Sequence, residues 1–206
     1  MNHHTPHPGT TGHVALLGDS IFDNAAYTSG APDVVTHLRR LLPPGWQATL
    51  CAVDGATTTD LDAQLARVPD AATDVVISVG GNDALQSMDL LTRRVASVTQ
   101  ALQAFAEPIG VFERRYRSAV EKVLKLERRT CVCTIYNGAL EPDLAVAAVT
   151  GVRLFNDVIL RTALELGLRA IELRSVCTEP ADYANPIEPS DQGGLKIARA
   201  ILGVLV

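Results

Sequence analysis

The stretch His13-Val14-Ala15-Leu16-Leu17-Gly18-Asp19-Ser20 decides how the rest of the chain is read. Its first five residues read as a buried strand. Gly18-Asp19-Ser20 then forms a small-residue turn that exposes one hydroxyl, as the presentation of a nucleophilic serine requires. Further strand-like runs follow at 48–53, 74–79, 130–135 and 169–173. Helical patterns lie between them. Asp33–Leu42 is stopped by Pro43-Pro44-Gly45, and Thr59–Arg67 has Thr58 or Thr59 as its cap. A long stretch over Asp89–Leu126 is expected to break near Pro108-Ile109-Gly110. Pro142 opens a helix that Gly167 ends, and Ser190 or Asp191 caps a last helix over Gly193–Leu202.

Strands and helices in alternation imply a five-stranded, mostly parallel sheet with helices on both faces, an α/β fold. Ligand sites in such sheets gather at the carboxyl ends of the strands, near the topological switch point. Functional residues are therefore expected just after strands. The segment around 104–118, at the expected helix break, reads as ordinary packing or as a lid over that edge.

Composition narrows the function. The chain has 206 residues, 47% of them apolar, which suits one globular domain over residues 13–206. Residues 1–12, rich in His, Pro, Thr and Gly, read as a disordered lead-in without the apolar stretch of a secretory signal. A net charge of −5 gives no footprint for nucleic acid. Arg114, Arg115 and Arg117 interleave with Glu113 and Glu121 and read as a solvated helix face. Apolar runs are interrupted before they reach roughly 18 residues, so no membrane span is expected. Cys51, Cys131, Cys133 and Cys177 lack metal-ligand spacing and read as buried free thiols in a reducing, cytoplasmic setting. Oligomeric state is not legible.

Four short segments meet the strand-end requirement: Gly18-Asp19-Ser20, Asp54-Gly55-Ala56, Gly80-Gly81-Asn82-Asp83 and Asn185-Pro186-Ile187-Glu188. Each alone fits an ordinary turn. Together they supply what acyl transfer needs, a nucleophile and donors for an oxyanion. Ser20 brings the hydroxyl and its own N–H. Gly55, without a Cβ, offers an N–H that a substrate can approach closely, and Asn82 offers a neutral amide donor. Phe22, Tyr27 and Tyr183 lie in nearby segments and are candidates to line a pocket.

On these residues the chain resembles the SGNH hydrolases, also called GDSL lipases/acylhydrolases. Leu16-Leu17-Gly18-Asp19-Ser20-Ile21 matches the first block of that family and Gly80-Gly81-Asn82-Asp83 the third, while Gly55 stands for the second, preceded by Asp54 where asparagine is frequent. The resemblance implies a flavodoxin-like three-layer α/β/α sandwich and hydrolysis of a small-molecule acyl ester or thioester. It further implies Ser20 as nucleophile, with Ser20, Gly55 and Asn82 as oxyanion hole, structural roles for Asp19 and Asp83, and no cofactor or metal.

The last block departs from the family pattern. Aspartate-x-x-histidine is replaced by Asn185-Pro186-Ile187-Glu188, which puts Glu188 in the position of the base and Asn185 in that of its partner. All five histidines lie within the first 37 residues; His13 opens the first strand at the wrong edge, and His37 sits within a helix. A glutamate ionises at about 4.3 in water and gains basicity when an apolar pocket raises its pKa. An amide at 185 orients such a carboxylate without repelling it. Three readings follow: a hydrolase or acyltransferase with a Ser20–Glu188 dyad, a silent ligand-binding protein of the same fold, or an enzyme of another class that uses Glu188 as acid or base on the substrate.

Overall fold

In the computed structural model, which describes residues 11–205, the apolar run forms strand β1 (His13–Gly18). β1 pairs with β2 (Gln47–Leu50) on one side and β3 (Asp74–Ser78) on the other. β4 (Arg129–Cys133) and β5 (Arg169–Ile171) complete a sheet of order β2-β1-β3-β4-β5, parallel throughout. This is the flavodoxin-type order, with its switch point between β1 and β3. The lead-in expected over residues 1–12 falls largely outside the described residues.

The pleat sends successive side chains to opposite faces, and two cores result. Val14 and Leu16 pack with Leu38 of α1 (Val34–Leu41) and with Ile197 and Ile201 of α7 (Asp191–Leu205). Ala15 and Leu17 pack with Leu61 of α2 (Leu61–Leu65), Val120 of α4 (Val98–Leu124) and Ile159 of α5 (Pro142–Glu165). Two shorter helices, α3 (Gly81–Leu85) and α6 (Leu173–Val176), follow β3 and β5. All four cysteines are buried and unpaired, and burial pushes the Cys131 and Cys177 thiols up to about 12. Among the described residues no helix is long and apolar enough to cross a membrane.

Several element ends differ from the sequence reading, each for a local reason. β2 stops at Leu50 because the N–H groups of Cys51 and Ala52 both converge on the Leu16 carbonyl and end the ladder. β4 stops at Cys133 because Asn156 takes both backbone groups of Ile135. Leu173 leaves β5 because its N–H turns to Thr134 Oγ1 and opens α6. The second helix is capped by Thr57, not Thr58 or Thr59, and shortens to a 3-10 turn followed by α2. The long helical stretch starts late, at Val98, where Ser97 caps it.

Pro108 does not break that helix: α4 runs through it as 27 residues. An internal proline costs about 3 kcal/mol. Anchors on α5 lie on both sides of it, Phe105 against Gly151 and Phe112 against Phe155. The pairs Arg161–Glu113 and Arg117–Glu165 continue the same register, so the two helices run parallel.

These helices are about 40 Å and 36 Å long at 1.5 Å per residue, about twice the length of β1, the longest strand. Phe112 sits over Gly80 and Asn156 clamps Ile135, both just past strand ends. Everything N-terminal to Phe112 and Asn156 therefore overhangs the carboxyl edge of the sheet. Residues 98–111 thus stand as a wall beside that edge rather than as a separate lid.

Candidate active site

The serine is placed by the backbone before it. Gly18 has φ 135°, and a Cβ there would lie 1.7 Å from the Ser78 carbonyl oxygen, so only glycine lets β1 and β3 close at this point. Gln64 of α2, buried on the apolar face of its helix, donates to Gly18 O and accepts from Gly18 N, both at 2.7 Å. The Asp19 N–H donates to Ser78 O, and Asp19 Oδ1 accepts from the Ile21 N–H. Ser20 is left 8% exposed, with its Oγ toward the strand edge.

The Ser20 hydroxyl donates to Glu188 Oε1 at 3.1 Å. Glu188 arrives on the loop between α6 and α7, which is held from several sides. Asn185 Oδ1 accepts from the N–H groups of Ile187 and Glu188, Tyr136 Oη donates to Ile187 O, and Asn24 Nδ2 donates to Pro189 O. Ser190 caps α7 by accepting from the Gly193 N–H. Asn185 thus orients Glu188 through the backbone of its turn, not through its carboxylate as the sequence suggested.

Asn82 and Asp83 open α3. Asn82 Nδ2 donates one hydrogen to Ala56 O at 2.9 Å, which fixes the amide at the mouth of the site and leaves its second hydrogen for a ligand. Asp83 accepts from Thr58 N and Thr58 Oγ1, tying the loop after β2 to α3. Gly55 lies in that loop with φ 78° and open space where a Cβ would project. It flanks the site and does not line the cleft described next.

Asp19, Ser20, Asn82 and Glu188 lie along one wall of a cleft that opens to solvent at its mouth. Residues from the overhang of α4 and α5 form the opposite wall, with Phe105, Ala148, Gly151 and Phe155 facing Leu85, Met88 and Leu91. Three aromatics read from the sequence as pocket candidates are employed elsewhere. Phe22 is fully buried in the core, Tyr27 donates to Asp54 Oδ2, and Tyr183 packs edge-on against Tyr136. Two acceptors at the cleft, Glu188 Oε2 and Asn137 Oδ1, are buried without a hydrogen-bond partner among the described residues.

Asp19 and Glu188 are the charged groups lining the cleft. Burial, with smaller contributions from the charges of Glu188 and Asp83, pushes Asp19 up to about 7, against the opposing Ile21 N–H. Burial also raises Glu188 above the usual carboxylate range, helped by the Asp54 charge and opposed by the Ser20 hydroxyl. His37 lies 2.8 Å from Asp191 at the start of α7, and His13 bonds Thr49 at the far edge of the sheet. Glu188 is therefore the titratable side chain that is hydrogen-bonded to Ser20. Among the described residues no group of three or more His, Cys, Asp or Glu side chains is arranged to hold a metal ion.

Two functional supports escaped the sequence reading. The amides of Gln64 and Asn156 each grip a backbone at a strand end beside the site. Their signal is a lone amide on an otherwise apolar helix face, as in Leu61-x-x-Gln64-Leu65.

Solved structures share this architecture at low identity. An extracellular lipase from Streptomyces rimosus is 17% identical with TM-score 0.70, covering 93% of this chain and 99% of that one. The acetyl xylan esterase AlAXEase is 18% identical with TM-score 0.68, covering 94% and 100%. Phospholipase A1 from Streptomyces albidoflavus NA297 is 17% identical with TM-score 0.69, covering 94% and 99%. A comparison with curated protein sequences finds no match. The profile of the GDSL-like lipase/acylhydrolase family matches residues 16–194, from the strand before Ser20 to the helix after Glu188, and the chain belongs to that family of acyl ester hydrolases.

Proposed function

We propose that this chain is a serine-dependent acyl ester hydrolase or acyltransferase in which Glu188 replaces the histidine base. The observation that carries the reading is the hydrogen bond from Ser20 Oγ to Glu188 Oε1, at 3.1 Å inside a buried cleft. Ser20 Oγ attacks the ester carbonyl carbon and its proton passes to Glu188. Negative charge then develops on the carbonyl oxygen, where the Ser20 N–H, the Gly55 N–H and the free hydrogen of Asn82 Nδ2 receive it. Collapse breaks the bond to the leaving alkoxide, which takes the proton from Glu188 and departs as the alcohol. Water, or an alcohol acceptor, then attacks the acyl-serine, gives its proton to Glu188, and Ser20 is regenerated when that proton returns to its Oγ.

A base is more effective as its pKa approaches the working pH, and the burial that raises Glu188 moves it in that direction. Glu188 Oε2 adds to this effect, since no donor among the described residues stabilises the ionised form there.

The test is hydrolysis of p-nitrophenyl acetate and butyrate by the wild type, Ser20→Ala and Glu188→Gln. Each substitution is expected to lower kcat/KM by at least about 100-fold, the lower end of what a positioned base contributes. Activity of Ser20→Ala equal to that of the wild type would exclude a serine nucleophile. Activity of Glu188→Gln within about twofold of the wild type, far inside that range, would exclude a glutamate base.

A further inference from the structure

We infer that the acyl group this site takes is an uncharged aliphatic chain of medium length, and that Gly151 sets that length. The inference rests on the proposed reaction at Ser20 and adds the class of acyl group. The cleft departs from Ser20 along the overhang of α4 and α5, away from the loop that carries Gly55. Phe112 marks the level of the strand edge, because its ring meets the position of a Gly80 Cβ. Phe105 lies seven residues, or about 10 Å, further along the same helix. There its ring faces Gly151, where an added Cβ would stand 3.6 Å from the ring edge. A chain of about eight carbons in extended form covers that distance.

The chemistry of the lining points the same way. Beyond Ser20 and Asn82 the walls are built from groups such as Leu85, Met88, Val152 and Phe155. Among the described residues no lysine, arginine or histidine lines the cleft to pair with an anionic chain, and the charged groups that do, Asp19 and Glu188, are carboxyls. An acetyl group would leave the apolar length of the cleft unfilled. Each buried CH₂ of a longer chain tightens binding about fourfold, so several methylenes together favour the longer acyl group by orders of magnitude.

The experiment compares p-nitrophenyl octanoate with p-nitrophenyl acetate. In the wild type the octanoate is expected to have the higher kcat/KM. In Gly151→Leu the branched side chain fills the Phe105 layer, and the octanoate-to-acetate ratio is expected to fall at least tenfold. In Phe105→Ala the preference is expected to move toward dodecanoate, a change that misfolding would not produce. A wild type that prefers acetate, or a ratio unmoved by either substitution, overturns the inference.

Should neither ester be cleaved, binding decides the matter separately. Thermal stabilisation of Ser20→Ala protein by 2-decanone, weakened in the Ser20→Ala/Gly151→Leu double variant, would leave the subsite standing while the proposed chemistry falls. No stabilisation by 2-decanone beyond that given by 2-butanone would overturn the subsite as well.

Discussion

Replacing Asp19 with asparagine should make the protein more stable at neutral and alkaline pH and leave it nearly unchanged in acid. Asp19 is 2% exposed and its carboxyl is pushed from 3.8 to about 7, mainly by burial. The folded state therefore holds the proton more tightly than the unfolded chain does. Below about pH 4 both states are protonated and the contribution of Asp19 is fully present. As pH rises from 4 to 7 the unfolded state ionises first, and stability is lost until both states are ionised. A gap of about three pKa units corresponds to on the order of 4 kcal/mol, about 3 of which falls between pH 4.5 and 8. Asparagine keeps an acceptor for the Ile21 N–H and has no proton to lose. Urea unfolding of both proteins at pH 4.5 and pH 8 measures the effect directly. The wild type should lose about 3 kcal/mol more than the variant over that interval. Equal pH dependence in the two proteins would refute the assignment of a raised pKa to Asp19.

Other residues give sharper local tests. Gln64→Leu removes both partners of the buried Gly18 peptide groups and should cost about 2–5 kcal/mol in urea unfolding, whereas a cost under about 1 would mean that the clamp is not needed. Asn137→Leu deletes a buried acceptor without a partner, so stability should hold or rise by about 1 kcal/mol. A clear loss of stability there would reveal a partner for the amide. If Glu188 is the base, kcat/KM for an ester should climb with pH through a carboxyl midpoint above 4.5, and Asp54→Asn should move that midpoint down by removing a nearby negative charge. A midpoint indifferent to Asp54 would place the titrating group elsewhere.

What could be read before the fold was known follows from how local each signal is. The Leu16–Ile21 run carries its strand, its turn and its serine within a few residues, and the same holds for Gly80–Asp83. The alternation of elements was enough for a parallel sheet, and its carboxyl edge is where the candidate site lies. The pairing of Ser20 with Glu188, 168 residues apart, followed from aligning the last block with a family pattern. Position within that block did not reveal that Asn185 acts on backbone N–H groups, because side-chain reach depends on the turn it closes. Pro108 misled for a similar reason. Its local penalty is real, and contacts at Phe105 and Phe112 with a helix more than 40 residues away outweigh it. The apolar wall of the cleft was hidden in the same way, since it depends on two helices outrunning the sheet.

That overhang gives α4 and α5 a gradient of local stability along their length. Their C-terminal halves are sealed against the sheet by Phe112, Tyr116, Val120, Val158 and Ile159, all buried. Their N-terminal turns expose Val98 and Val146 almost as fully as an unfolded chain would, at 77% and 78%. Backbone amides near residues 98–104 and 143–148 should exchange with solvent through local fraying, and those past residues 112 and 156 only through much larger openings. Phe105 and Ala148 lie at the border of these turns, so the outer end of the cleft adjoins the part of its wall that opens most readily.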